Sequence, residues 1–473
     1  GYNITTGNYN TAVGQGALTT ATTASGNTAV GKEALTSNTT GVNNSALGST
    51  ALKDTTTGSY NVALGNNTLA NNTTGNYNTA VGNNALITAT TASSNTAVGH
   101  AALQNTTTSG NNTAVGRSAL LSNTTGTQNT AVGALALDAN TTSSSNTAVG
   151  YNALSANTTG SQQVAIGNRC AESTTTGTQN TAVGANSLQV NTTGDQNVAV
   201  GCEALDANTT ADGNTAIGYQ ALTANTTGGI SVAVGRYALA TQTTGGSNVA
   251  VGEQSMRYNQ TGNTNTAVGQ GSLYSNTTAH NNVAVGFNCM ISNTTGTENV
   301  AVGRQALYTT TTTSYNTAIG DKALYNNAAS NNTAVGHDAL TATTTGGDNT
   351  SVGAGALDAN TTGSSNTALG YLALSGNTTA THNVAVGRAA LGVNTTGTEN
   401  TAIGNYALDA SNADYNVAMG HNAGGKITTG VQNVFVGRSA NKEGTTCNDC
   451  VCIGDRAGDG NTGNQNTFVG GRA

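Results

Sequence analysis

The chain has 473 residues, 36% of them hydrophobic and only 4% aromatic, with no Trp and no Pro, a mix that taken alone argues for disorder. Yet charged residues make up only 7%, far fewer than disordered chains carry, and a net charge of -7 leaves no basic footprint for nucleic acid. No apolar run approaches the roughly 20 residues that a membrane-spanning helix needs, so no membrane span is expected.

From its first residues the chain repeats itself. It opens at Gly1 in mid-pattern, which predicts a fragment or mature piece of something longer. A glycine then closes each copy of a TAVG-like motif at Gly14, Gly31, Gly48 and onward to Gly470, 28 times, and 24 of the 27 spacings are seventeen residues. The other three, each sixteen, fall where the Asn-Thr-Thr-Gly stretch is altered, as in YNNAASNNTAVG. Length is lost in a turn and never in the motif, as a turn between fixed strands behaves.

Within each copy, the residue before the corner glycine is Val, Ile, Leu or Met in all 28, and two residues earlier stands Thr or Val, Ser45 excepted. Ala lies between them in 24 of 28 copies. Alternation along a strand puts the aliphatic residue and the Thr or Val on one face and Ala on the other. We expect the former to point inward and the Ala row to form a flat outer face. That face reads either as a smooth solvent-facing sheet or as a packing surface for identical rods. The fourth residue after the corner is Leu or Met in 23 of the first 24 copies. Each period thus offers a short strand, a Gly corner that calls for positive φ, a second short segment carrying Leu, and an Asn-Thr-Thr-Gly turn.

Seventeen residues are too few for a helical repeat, and Thr, Asn and Gly are poor helix formers. The period suits an all-β parallel β-solenoid, a β-roll of about 28 coils with two short strands per coil. At about 4.8 Å per coil the stack would be a rod on the order of 130 Å long. Like residues would then lie over like. This explains the scarcity of charge, because stacked like charges repel by about 1 kcal/mol even in water. Asn and Thr instead bond to their own copies in ladders, and Pro is excluded because each strand N–H serves a neighbouring coil.

The motif NTAVG-x-x-AL, the VAVGRYAL run at 232–239 and QVAIGNRCA at 163–171 resemble the head repeats of trimeric autotransporter adhesins and the repeat arrays of phage tail fibres. The resemblance covers essentially the whole chain. It implies a left-handed β-roll, three chains per fibre and a role in attachment. The sequence departs from that family in its longer coil, with the inserted NTTG turn.

The most varied position follows the corner glycine and would form one stripe down the rod. It holds Arg117, Tyr151, Tyr219, Arg236, Phe287, Arg304, Tyr371 and Arg388, our candidate contacts for a cell-surface glycan or receptor, because aromatic faces stack and guanidinium forks bind bidentately. The plainer reading is a corner that accepts any residue and contacts nothing. Turns such as those at Asn123, Asn140, Asn157 and Asn225 are formal N-glycosylation acceptors, read here as turn and ladder residues.

Of six cysteines, Cys170 and Cys202 lie two coils apart, about 10 Å, beyond disulfide reach, and Cys170 and Cys289 stand where Ala usually does, as small apolar filler. Cys447, Cys450 and Cys452 share one coil, which leaves open a local disulfide or bridges between chains; no nearby His completes a metal set. From residue 405 the pattern changes. Gly424, Asn441 and Gly458 replace Leu, Phe435 and Phe468 replace what reads as the flat-face Ala, and charges crowd in. We divide the chain into a uniform shaft, 1–404, and divergent C-terminal coils, 405–473, that cap it or join a further domain.

No nucleophile elbow, zinc-protease motif, P-loop or calcium repeat occurs, so neither an enzyme nor a cofactor or metal site is expected. The sequence therefore points to a fibre shaft of a virion, a phage tail fibre, that is extracellular and homotrimeric and supports host attachment. A bacterial cell-surface adhesin or extracellular filament is the alternative. An ice-binding solenoid would need an outward Thr-x-Thr ladder, whereas strand Thr is expected to face inward beside Val and the turn carries adjacent Thr-Thr.

Overall fold

A computed structural model of the protein describes residues 5–473. The chain forms two compact units, Gly1–Arg236 and Tyr237–Ala473, each an all-β parallel solenoid. The first carries fourteen strands, from β1 (Thr11–Val13) to β14 (Val232–Val234), and the second fourteen more, from β15 (Val249–Val251) to β28 (Thr467–Val469). Every strand is three residues long and begins one period after its predecessor. Pairing is parallel and in register, so Thr147, Ala148 and Val149 lie over Val164, Ala165 and Ile166. Where the period shortens to sixteen, the register still holds, with Thr317 over Thr333 and Ala318 over Ala334.

Each coil has one strand, not two. The Leu-bearing segment, expected as a second strand, runs as consecutive turns that still bond coil to coil: Leu154 N–H donates to the Cys170 carbonyl at 3.0 Å and Asn152 N–H to that of Ala134 at 3.1 Å. Two residues of this segment sit in the left-handed region, Asn152 at φ 54° and Leu154 at φ 52°, and Gln162 before the next strand is a third, at φ 60°. The same three places recur around the stack. Thr50, Ile230 and Thr264 show that the two outer places accept β-branched residues, but at the buried Leu place such a side chain is poorly tolerated. That accounts for Leu or Met, never Val or Ile, at the fourth position after the corner.

The corner glycine itself is doubly required. At Gly218 φ is 135°, where only glycine is comfortable, and an added Cβ would lie 2.6 Å from the Gly235 carbonyl oxygen of the next coil.

The strand faces are the reverse of the expectation. Ala148, Ala165, Ala182 and their equivalents are fully buried, whereas the flanking Thr or Val and the aliphatic residue before the corner lie on the outside. The reason is thickness. A one-strand coil backed by a turn wall leaves room between them for Ala from the strand and for one Ala and one Leu from the turn side. A coil therefore buries a single large aliphatic side chain, and small apolar and amide groups fill the rest. Phe435, which stands in an Ala place of the strand, likewise points into the core and is fully buried; Phe468 in the last strand is half-buried. Neither sits on a flat outer face.

Asparagine closes the coil. Asn61 accepts the backbone N–H of Asn78 through Oδ1 at 3.0 Å, and its Nδ2 donates to the Gly75 carbonyl at 2.9 Å, tying the beginning of the coil to its end. Asn72 Nδ2 donates to the same carbonyl at 3.1 Å. Both amides are buried and both columns recur, so the expected polar ladders exist and lie within the core.

Candidate binding surfaces

The strand face is the first candidate. Because Ala points inward, each unit presents a column of Val, Ile, Leu or Met beside a column of Thr or Val, stacked at about 4.8 Å. The aliphatic column is open to solvent: Leu47 is 51% exposed, Ile166 40%, Leu369 47% and Met419 43%. The Thr147 and Val149 side chains of one strand stand on the same face, so the array is regular in two directions.

The stripe after the corner glycine is the second. Arg117, Tyr151, Tyr219, Arg236, Phe287, Arg304, Tyr371 and Arg388 are all exposed, and each occupies the same place in its coil. The structure brings some of them together. The Arg388 guanidinium lies 5.8 Å from the Tyr371 ring centroid and 5.5 Å from that of Tyr406, a side chain outside the predicted stripe. Arg304 is engaged with Asp321 of the next coil, Nη2 to Oδ2 at 2.8 Å, which spends part of its donor fork. Arg117 and Tyr151 lie two coils apart.

A third feature was not legible as a site. In the second unit a cavity of about 500 Å³ lies between the columns two and five residues past the corner, lined by Gln305, Lys322, Tyr325, Asn326, Asp338, Thr341 and Asp358. Tyr325 stacks on Tyr308, ring centroids 4.9 Å apart and planes within 2°. Burial pushes the Asp358 carboxyl above the usual carboxylate range, and its Oδ1 is buried without a protein hydrogen-bond partner. The signal available in sequence was the pair Tyr308 and Tyr325, one period apart at a place held by no other consecutive aromatics.

The other predicted residues are structural. Asn123, Asn140, Asn157 and Asn225 are buried, and their Nδ2 atoms donate to the carbonyls of Gly126, Ser143, Gly160 and Gly228 at 2.8–3.2 Å, which makes them ladder residues. All six cysteines are free thiols, five buried and Cys202 exposed. Burial pushes Cys170 up to about 11 and Cys289 up to about 12, so both are held protonated as filler. Among the described residues no group of three or more His, Cys, Asp or Glu is placed to hold a metal, and no helix is long and apolar enough to cross a membrane. No protein-family model matches the chain, and no curated protein is significantly similar to it, so the surfaces described above carry the functional argument.

Proposed function

We propose that the chain is the shaft of an extracellular attachment fibre, of the phage tail-fibre kind, in which three copies pack side by side through their strand faces. The observation that carries this reading is the outward aliphatic column, exposed or half-exposed in every coil along each unit. Monomeric soluble proteins rarely leave so long an apolar stripe uncovered, and a flat array of Thr and Val is suited to close packing against its own copy. The packing face is thus the Thr and aliphatic face, in place of the Ala row. A bacterial surface adhesin or filament would use the same assembly.

The test is the mass of the purified chain by light scattering together with particle shape by electron microscopy. Three times 46.5 kDa is expected, falling to a single chain when Val115, Val132 and Val149 are all changed to Lys. A monomeric wild-type chain would overturn the proposal.

One observation favours a second reading. The strand threonines face outward, which removes one of the objections to an ice-binding solenoid, although each strand pairs its Thr with an aliphatic residue and not with a second Thr. A regular outward array of Thr and Val hydroxyl and methyl groups is a surface that could order water. Thermal hysteresis of the dilute chain decides it: growth arrest of an ice crystal supports this reading, and unaltered freezing removes it.

A further inference from the structure

We propose that the cavity beside the stacked Tyr308–Tyr325 pair binds a neutral pyranose sugar. The site deepens the attachment reading above and rests on it for its role, although binding is measurable on the chain whatever its subunit count.

The two tyrosines belong to one column of the stack. Tyr308 covers one face of the Tyr325 ring. The next residue of that column is Thr341, too short to stack, and the one after it is Asp358. Tyr325 and Asp358 are two coils apart, about 10 Å at about 4.8 Å per coil. The uncovered side of the Tyr325 ring therefore borders a slot floored by Thr341 and ended by Asp358, with all three lining the cavity. A slot of that depth admits one saturated ring.

The walls select the kind of ring. No aliphatic side chain lines the cavity, which disfavours an apolar ligand. Two carboxylates, Asp338 and Asp358, face a single ammonium, Lys322, which disfavours an anion. At the rim Arg304 is paired with Asp321 at 2.8 Å, and His337 Nδ1 lies 3.1 Å from Asp338 Oδ2, so both groups have part of their bonding capacity occupied. What remains is a mixed set of acceptors and donors, with the Asp358 carboxyl at the end of the slot and the Gln305 and Asn326 amides supplying both kinds. Ligand hydroxyls, each at once donor and acceptor, match such a set, and the apolar C–H face of a pyranose matches an aromatic ring.

The test uses the full chain and saturation-transfer NMR, with methyl α-glucopyranoside, methyl α-mannopyranoside and N-acetylglucosamine as probes, and the acyclic polyol sorbitol as control. Transfer to the ring protons of at least one pyranoside, with none to sorbitol, is expected. Tyr325→Ala should weaken that binding about tenfold, and Asp358→Asn by a smaller factor. Tyr258→Ala, which alters a different tyrosine pair, should leave it unchanged. Tyr308→Ala, which keeps the Tyr325 face, should bind better than Tyr325→Ala, and circular dichroism of each variant guards against unfolding. No transfer to any pyranoside, equal transfer to sorbitol, or full binding by a folded Tyr325→Ala would overturn the site. A chain that binds as a monomer would sink the fibre reading and keep the site, whereas a trimer that binds none of the probes would sink the site alone.

Discussion

The coils around Leu154 and the coils from Gly420 onward have the same backbone and solve the same packing problem differently. In the uniform coils the strand contributes Ala148, and the turn wall contributes Leu154, held at φ 52°. In the C-terminal coils the sizes are exchanged across the core. Gly424 takes the left-handed place of Leu at φ 60°, and Phe435 of the following strand fills the space that opens, with its ring 2.7 Å from where a Gly424 Cβ would be. Gly458 and Phe468 repeat the exchange, with Phe468 2.8 Å from the equivalent point. One coil makes a polar version of it: Asn441 stands in the Leu place, Gly444 in the ladder Asn place, and Asn441 Nδ2 donates to Cys447 Sγ at 3.0 Å. The comparison shows that the coil conserves interior volume and backbone conformation, and that side-chain identity is free to move between its two walls.

The feature that the two regions share sets the upper end of the scale. Gly218→Ala forces a side chain onto a backbone that only glycine adopts and into the next coil's carbonyl. We expect a loss of several kcal/mol, about 3 or more, in local opening free energy measured by native-state hydrogen exchange around that coil. A loss below about 1 kcal/mol would show that the corner can relax.

The exchange of sizes between the two walls can be broken and restored by substitution. Phe435→Ala should open a cavity in a core one side chain thick and cost about 3–5 kcal/mol by the same measurement. Gly424→Leu alone should also destabilise, because the new Cβ meets Phe435 and Leu408 at 2.7 and 2.9 Å. The double variant restores the arrangement of the uniform coils, so the two losses should cancel in part, with a coupling of about 1–3 kcal/mol. Simple additivity would mean that the walls do not compensate for one another. In the uniform region, Leu154→Ile keeps volume but puts a β-branched side chain at φ 52° and should cost about 1–2 kcal/mol more than Leu154→Met.

These cases mark what the sequence could and could not reveal. The period, the strand triplet, the corner glycine and the stacked ladders are all periodic in the letters and all present in the structure. Which strand face is inside is not periodic information, because alternation is symmetric between the two faces. The signal lay in size tolerance. The residue before the corner ranges over Val, Ile, Leu and Met, as in Val149, Ile166, Leu369 and Met419, as an unconfined surface column can; Ala148 and its equivalents hardly vary, as a confined column must. Reading Val as core by its hydrophobicity missed that the coil is too thin for it. The stripe after the corner was legible as exposed, but its partners were not, since Arg388 over Tyr406 and Arg304 with Asp321 depend on which side chains meet one coil away. The cavity at Tyr325 was hidden for the same reason, being a gap made by one short residue, Thr341, between two longer ones.

The smallest effect comes from the column five residues past the corner, where two acids are shifted in opposite directions. Burial raises the Asp138 carboxyl above its ordinary value, and its Oδ1 has no protein partner. Burial also acts on Glu172 in the same column, but donors from Gln189, Arg169 and Asn152 outweigh it and hold that carboxyl low, with Arg169 Nε at 2.7 Å and the two amides at 3.1 Å. A raised folded-state value means that the native chain holds the proton more tightly than the unfolded chain. The stabilisation from Asp138 is therefore full below the ordinary carboxylate value and is lost as pH rises through the folded one. For Glu172 the contribution is present above the ordinary value and is lost as pH falls through the depressed one. Asp138→Asn should then make its coil more stable than wild type at neutral pH, and Glu172→Gln should make its coil less stable. Both differences should shrink towards zero in acid. Solvent screening of these half-buried groups keeps each near a few tenths of a kcal/mol. Hydrogen exchange across a pH series checks the signs, and like signs for the two variants would show that the donors around Glu172 do not govern this column.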